Sequence, residues 1–169
     1  MGFRPIAAVL VAALTLGCSR DDETSLKAML NGWFYVDETL FFASRTRCTA
    51  AVFRVATPTT RAGMPVYNTA NEAKQAFNAV GLSAFQIPGY SPNDLTDELL
   101  LRGRGSMGKQ ALAAAAQAVP CFDGTKAEGQ LRDALTRPGA MLAYDRGSEG
   151  LIVLDPATRR LFYVAGDVW

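Results

Sequence analysis

The hydrophobic pattern changes twice along the chain, and the order of these changes restricts the fold more than any other feature. Residues 33–56 are rich in aromatic and β-branched side chains, which predicts strands. Most of residues 69–136 place apolar side chains at helical spacing, apart from an irregular segment at 82–90. Residues 141–164 return to short apolar runs separated by turn sequences at 145–148 and 155–158. We therefore predict an α+β fold, with one antiparallel sheet built from N-terminal and C-terminal strands and a block of helices between them packed on one face.

Local signals refine these boundaries. A turn is expected at Asp37 and Glu38, and a loop at residues 57–65 after a third strand at 48–55. Pro120 is expected to end a helix, because proline has no backbone N–H to donate. Helices are expected from Thr24 or Ser25 to about Asn31, and at residues 69–80, 92–101, 107–119 and 125–136.

The N-terminal stretch has the organisation of an export signal. Arg4 supplies a positive charge, and the uncharged residues 5–16 form an apolar segment of about a dozen residues, shorter than the roughly 20 that a membrane-spanning helix needs. The segment ends in Leu14-Thr15-Leu16-Gly17-Cys18. This ending resembles the lipobox of bacterial lipoproteins, in which the cysteine becomes the first mature residue and carries acyl chains such as palmitate.

The resemblance implies a signal peptide at residues 1–17, lipidation of Cys18 and a membrane anchor. Ser19 follows the cysteine, and in bacteria with two membranes this resembles the pattern sent to the outer membrane, where the protein faces the periplasm. Residues 18–25 are expected to form a lipidated tether that lifts a single domain, residues 26–169, off the bilayer. An ordinary cleaved signal with an incidental cysteine and an uncleaved helix are the alternatives.

Two cysteines remain if Cys18 is acylated. In an oxidising compartment such as the periplasm, Cys48 and Cys121 most simply form one disulfide. The alternative is a reactive thiol, but the sequence offers neither a histidine nor a second cysteine at CxxC spacing to activate it. The sequence therefore predicts a bond between the first strand region and the helical block.

Charge and composition exclude several classes of function. Residues 1–17 contain Arg4 and no acid, so the 17 basic residues of the chain fall to 16 in the mature part, against 16 acidic ones. This balance gives no attraction to nucleic acid. The sequence has no histidine, which removes His-ligated metal sites and the Ser-His and Cys-His nucleophile pairs. We expect no metal and no cofactor.

A glycine-rich stretch resembles part of a phosphate-binding loop. Gly103-Arg104-Gly105-Ser106-Met107-Gly108-Lys109 fits GxxxxGK, but Gln110 stands where Ser or Thr would hold magnesium, and a helix is predicted before it instead of a strand. The stretch is therefore interpreted as a loop between helices. A narrower hypothesis remains, in which Arg102, Arg104 and Lys109 at a helix N-terminus hold an anion such as a lipid phosphate.

Two other groups of residues are candidates for function. Asp94, Asp97 and Glu98 lie within one helical turn and could do acid–base work, although acids in a first turn are also favoured by the helix dipole. Aromatic residues concentrate near the N-terminus, and those pointing away from a one-sided core would form a contact surface. The aromatic set is Trp33, Phe34, Tyr35, Phe41, Phe42 and Phe53.

These observations favour a membrane-anchored envelope lipoprotein that acts as a non-enzymatic interaction or accessory module. Its partner would be an envelope protein or another envelope component. The alternative is an envelope hydrolase that uses carboxylates such as Asp94, Asp97 or Glu98. A cleft bearing two carboxylates with raised pKa values would favour the hydrolase.

Overall fold

The computed structural model describes residues 19–102 and 106–167. Within these residues the chain forms five helices and seven strands. The helices are α1 (Glu23–Asn31), α2 (Ala70–Val80), α3 (Pro92–Arg102), α4 (Ser106–Phe122) and α5 (Lys126–Thr136). The strands are β1 (Phe34–Arg45), β2 (Cys48–Thr60), β3 (Val66–Tyr67), β4 (Leu82–Phe85), β5 (Met141–Asp145), β6 (Gly150–Asp155) and β7 (Arg160–Gly166).

The strands form one sheet in the order β1-β2-β7-β6-β5-β4-β3. Neighbouring strands are antiparallel, except that the short β3 runs parallel to β4. The N-terminal strands β1 and β2 join the C-terminal strands through the pairing of β2 with β7. The predicted α+β fold is therefore confirmed, with α2 to α5 as the helical block and one parallel pair added at the edge.

The sheet buries apolar side chains on both faces, and different elements cover each face. On one face Val52 and Phe162 lie in a core shared with α2, α3, α4 and α5. On the other face Phe53 and Tyr163 lie in a second core that includes Leu30 of α1. The four-helix block thus packs on one face as predicted, while α1 and the chain between β2 and β3 cover the opposite face.

Cover on both faces removes the expected outward set of aromatic side chains. Phe34 is fully buried in the core beneath α1. Phe41 is half-buried, and its ring stacks on that of Phe122 at the end of α4, with ring centroids 6.0 Å apart. Trp33 and Phe42 pack against the core on the α1 side. These residues therefore contribute mainly to packing, and the interpretation of an aromatic contact surface is wrong.

The turn predicted at Asp37 and Glu38 is also wrong. β1 runs through both residues as one twelve-residue edge strand, and the chain turns only after Arg45. Register irregularities between Phe34 and Phe41 absorb the polar residues, as bulges do at sheet edges. Both acids are exposed, so an edge strand accommodates them without a reversal of the chain.

β1 and β2 are longer than predicted, and two short strands were missed. β2 continues to Thr60, through the segment predicted to be a loop. β4 has four residues and lies in the segment interpreted as irregular, and β3 has two residues, for which no element was predicted. Runs this short carry too few alternations for a period of two to be recognised.

The two C-terminal hairpin turns are confirmed, and each is stabilised by an aspartate at its start. The Asp145 carboxylate accepts hydrogen bonds from the backbone N–H and the hydroxyl of Ser148, at 2.9 and 2.7 Å. The Asp155 carboxylate accepts one from the Thr158 hydroxyl at 2.7 Å and is also ion-paired with Arg137. Aspartate side chains favour turns by satisfying nearby backbone and hydroxyl donors.

Helix α4 extends past the proline that was expected to end it. It runs to Phe122, so Pro120 and Cys121 lie in its last turn. A proline there loses only one backbone hydrogen bond, and the disulfide holds the next residue in place. Cys121 is bonded to Cys48 with Cα atoms 6.0 Å apart and a sequence separation of 73 residues, which confirms the predicted disulfide.

A glycine at the end of β7 permits close contact between α4 and the sheet. A Cβ added at Gly166 would lie 2.3 Å from the Cβ of Gln117 and 3.2 Å from its backbone. The obstacle includes helix backbone, which cannot move aside as a flexible side chain can. Gly166→Ala should therefore lower the free energy of unfolding by about 1–3 kcal/mol, measured by chemical denaturation.

Gly129 provides a control of opposite sign. It lies exposed inside α5, and an added Cβ would meet nothing within 4 Å. Gly129→Ala should raise the free energy of unfolding by roughly 0.5–1 kcal/mol, because alanine restricts the unfolded chain and favours helix. Equal effects of the two substitutions would contradict the close packing of α4 on β7.

Candidate functional site

The first described residues pack against one end of the sheet. The backbone N–H of Arg20 donates to the carbonyl oxygen of Arg45 at 2.9 Å, and that of Asp21 donates to the Ser44 hydroxyl at 2.9 Å. The chain therefore lies beside the end of β1 before α1 begins. We call this region the Arg20 end, where the β1–β2 turn (46–47), the β5–β6 turn (146–149) and Asp167 meet.

The Arg20 side chain joins these elements. Its guanidinium donates to the carbonyl oxygen of Ser148 at 3.0 Å and to the carboxylate of Glu149 at 3.0 Å. It also pairs with Asp21 at 3.1 Å and approaches Asp167 at 3.8 Å. The Arg20 side chain is only 14% exposed. One arginine thus ties the N-terminal segment to the β5–β6 turn and to the residue that follows β7.

Helix α1 starts directly after this cluster. Asp22 is its N-cap, and the carboxylate accepts a hydrogen bond from the backbone N–H of Ser25 at 2.9 Å. This hydrogen bond lowers the pKa of Asp22. Residues 20–25, expected to belong to a tether, are therefore held on the domain, and the cap is Asp22 instead of the expected Thr24 or Ser25.

The electrostatics of the cluster favour a charged arginine beside neutral phenols. Burial alone would lower the pKa of Arg20, but the charge of Asp21, with smaller contributions from Tyr163 and Glu149, raises it above its ordinary value. Burial raises the pKa of Tyr163 to about 12, and the neutral hydroxyl donates to the carbonyl oxygen of Ser148. Burial also raises the pKa of Tyr144 to about 12.

The Arg20 end contains further cations, and acids lie beside them. Arg45 pairs with Asp123 at 3.1 Å, and Arg47 pairs with Asp167 at 3.5 Å. A hollow of about 380 Å³ lies next to these pairs and to the disulfide. Its lining residues are Arg45, Thr46, Arg47, Cys48, Gln117 and Pro120. Because acids balance the arginines here, this surface is not a basic patch for anions.

The predicted anion site lies partly outside the described part of the chain. Arg104 and the side chain of Arg102 are not among the described residues. Lys109 is exposed and lies in the first turn of α4. The element before the glycine-rich stretch is helix α3, which differs from the strand that precedes a phosphate-binding loop.

The structure gives one of the three candidate carboxylates a structural role. Asp94 accepts hydrogen bonds from the backbone N–H and hydroxyl of Ser91, at 2.8 and 2.6 Å, at the start of α3. These bonds lower the pKa of Asp94, whereas a general acid needs a raised one. Asp97 is exposed, and Glu98 borders a hollow beside the start of α2.

Known proteins offer no further identification of the site. Family models, curated proteins and solved structures gave no match to this chain. Among the described residues, no group of three or more Asp, Glu, His or Cys side chains is placed to hold a metal ion. None of the helices in this part of the chain is both long and apolar enough to cross a membrane.

The Arg20 cluster is the feature that sequence reasoning missed. Arg20 meets Ser148 and Glu149 across sequence separations of 128 and 129 residues, so no local pattern announces the contact. A local signal did exist for the start of the helix. Asp22 followed three residues later by Ser25 is the spacing of an N-cap bond, which would have moved the domain boundary toward Arg20.

The buried tyrosines predict a specific loss of stability in alkali. A folded-state pKa of about 12 for Tyr163 and Tyr144 exceeds the ordinary value of 10, so the stability that they contribute is complete below pH 10. It should be lost as the pH rises from 10 to 12, by on the order of 2 kcal/mol for each tyrosine. Chemical denaturation at several alkaline pH values measures this loss.

Tyr163→Phe provides the control. The variant should be less stable at pH 8, because it lacks the hydroxyl bonded to Ser148. Its further loss between pH 10 and 12 should be about half that of the parent, since one of two titrating groups is gone. The same alkaline loss in both proteins would show that Tyr163 does not titrate as its burial requires.

Proposed function

We propose that this chain is a lipid-anchored envelope protein, held at the outer membrane through Cys18 and facing the periplasm. Its domain acts as a non-enzymatic interaction or accessory module for an envelope protein or another envelope component. The anchor is the N-terminal cysteine, and the domain supplies a rigid body at the membrane. No cofactor or nucleic acid takes part.

The disulfide is the observation that carries the proposal. The sequence has three cysteines, and the bond between Cys48 and Cys121 leaves Cys18 as the one outside it. Cys18 is also the residue at the end of the lipobox-like stretch. Both bonded cysteines are buried in the core, so the bond is part of the packing between α4 and β2. Structural disulfides of this kind are typical of oxidising compartments such as the periplasm.

The chemistry of the chain supports a non-enzymatic role. The sequence has no histidine to serve as a base at neutral pH. Cys48 and Cys121 are bonded to each other, so neither is a free nucleophile. The Asp94 carboxylate accepts a hydrogen bond from Ser91 at the start of α3, and its pKa is lowered. A hydrolytic activity on envelope material that is lost in an Asp97→Asn, Glu98→Gln variant would contradict this part of the proposal.

Substitution of Cys18 tests the anchor. In a host with two membranes, Cys18→Ser should abolish the acyl mass of the mature protein and release it from the membrane fraction, because no thiol remains for lipid attachment. Mass spectrometry of the intact protein and fractionation of the envelope measure the two effects.

The matched control removes the other two cysteines. The double variant Cys48→Ala, Cys121→Ala should be less stable by about 4 kcal/mol, because the disulfide no longer restricts the unfolded chain. It should still keep the acyl mass and the membrane location. Absence of acyl mass from the parent protein, or the same acyl mass on the Cys18→Ser variant as on the parent, would refute the lipid anchor.

A further inference from the structure

We propose that the Arg20 end of the sheet faces the bilayer directly, so that the domain is held against the membrane surface instead of being suspended from a tether. This inference rests on the proposed lipidation of Cys18. It goes beyond it by assigning the membrane-facing surface of the domain. The partner for this surface is the lipid headgroup layer in which the anchor is inserted.

Chain length provides the first step. Arg20 is the second residue after Cys18, and two residues of fully extended chain span at most about 7 Å. A tether of eight residues, 18–25, could span up to about 28 Å by the same measure. Whether the domain touches the membrane therefore depends on where the chain is first held.

The Arg20 contacts provide the second step. The chain is held from Arg20 onward by its backbone bond to Arg45 and by the side-chain bonds to Ser148 and Glu149. Asp21 is bonded to Ser44, and Asp22 caps α1. Six of the eight residues expected to be a tether are thus fixed on the domain. A lipid on Cys18 would therefore leave only Ser19 between the anchor and the fixed part of the chain.

Sheet geometry determines which parts of the domain face away. Cys48 of β2 pairs with Gly166 of β7, and Asp145 of β5 pairs with Gly150 of β6. Because Gly150 in turn pairs with Ala165, beside Gly166, all four residues lie at the Arg20 end. β2 has thirteen residues, which place Thr60 about 40 Å from Cys48 at the usual rise of a strand. The β6–β7 turn (156–159) lies toward that distal end. A soluble partner would therefore meet the distal end or the sides of the domain.

The composition of the Arg20 end is suited to contact with lipid headgroups that does not depend on attraction between opposite charges. Several of its arginines pair with acids, as Arg45 does with Asp123 and Arg47 with Asp167. Exposed apolar side chains accompany them, since Val80 at the end of α2 is 73% exposed and Val119 near the end of α4 is 53% exposed. The orientation should then follow from the short linkage and should not need anionic lipid.

Headgroup quenching tests the orientation. A fluorescent amino acid is placed in the full lipidated protein either at Thr46, at the Arg20 end, or at Ala157, at the distal end; both positions are exposed. The protein is reconstituted in vesicles of phosphatidylethanolamine and phosphatidylglycerol that carry nitroxide-labelled headgroups. The probe at 46 should lose most of its emission, and the probe at 157 should lose none.

A linker insertion supplies the control. About twenty Gly and Ser residues inserted between Ser19 and Arg20 leave the contacts of Arg20 intact but add a coil of about 25 Å root-mean-square length. Quenching at 46 should then fall toward the level at 157. Repeating the measurement in vesicles of phosphatidylcholine alone should give the same result as the anionic vesicles, because charge does not hold the surface.

Flotation of each sample with the vesicles separates the two proposals. Protein that does not float lacks the anchor, which overturns the proposed function and this inference with it. Protein that floats but is quenched equally at 46 and 157 overturns the orientation and leaves the anchor intact. Persistent quenching at 46 after the insertion, or quenching that requires anionic lipid, overturns the linkage as the cause of the orientation.

Discussion

The burial of the central strands on both faces is the constraint on which the rest of the structure depends. The side chains of β6 are buried throughout, and those of β7 are buried from Leu161 onward. Because alternate side chains point to opposite faces, a helical layer on one face could cover only half of them. α2 to α5 provide that layer, and α1 must close the opposite face. The position of α1 then fixes the N-terminal segment beside β1.

Arg20 links this packing requirement to the proposed function. Its contacts with the β5–β6 turn and with Asp167 hold the segment just before α1 on the surface of the domain. A residue that stabilises the fold therefore also determines how much free chain separates the domain from Cys18. Under the proposed anchor, fold stability and orientation at the membrane depend on the same buried guanidinium.

Much of the fold was accessible from local sequence signals, while the site was not. Thr69 before α2 and Gly81 after it, and the aspartates that begin the C-terminal turns, act through partners a few residues away and could be recognised. The continuous β1 could not, because Asp37 and Glu38 resemble a turn until the edge position of the strand is known. The contacts of Arg20 could not be recognised from the sequence, because its partners Ser148 and Glu149 lie more than a hundred residues away.

Backbone dynamics of residues 20–25 test the central claim most directly. The measurement is ¹⁵N relaxation on the Cys18→Ser protein, with order parameters for Arg20 and Asp21 compared with those of β1. Contacts with Arg45 and Ser44 predict values near 0.85, as in rigid secondary structure. The substitution Arg20→Ala should lower the order parameters of residues 20 and 21 alone. Order parameters below about 0.6 in the parent would instead show a flexible tether, and the account of a pinned N-terminus would be contradicted.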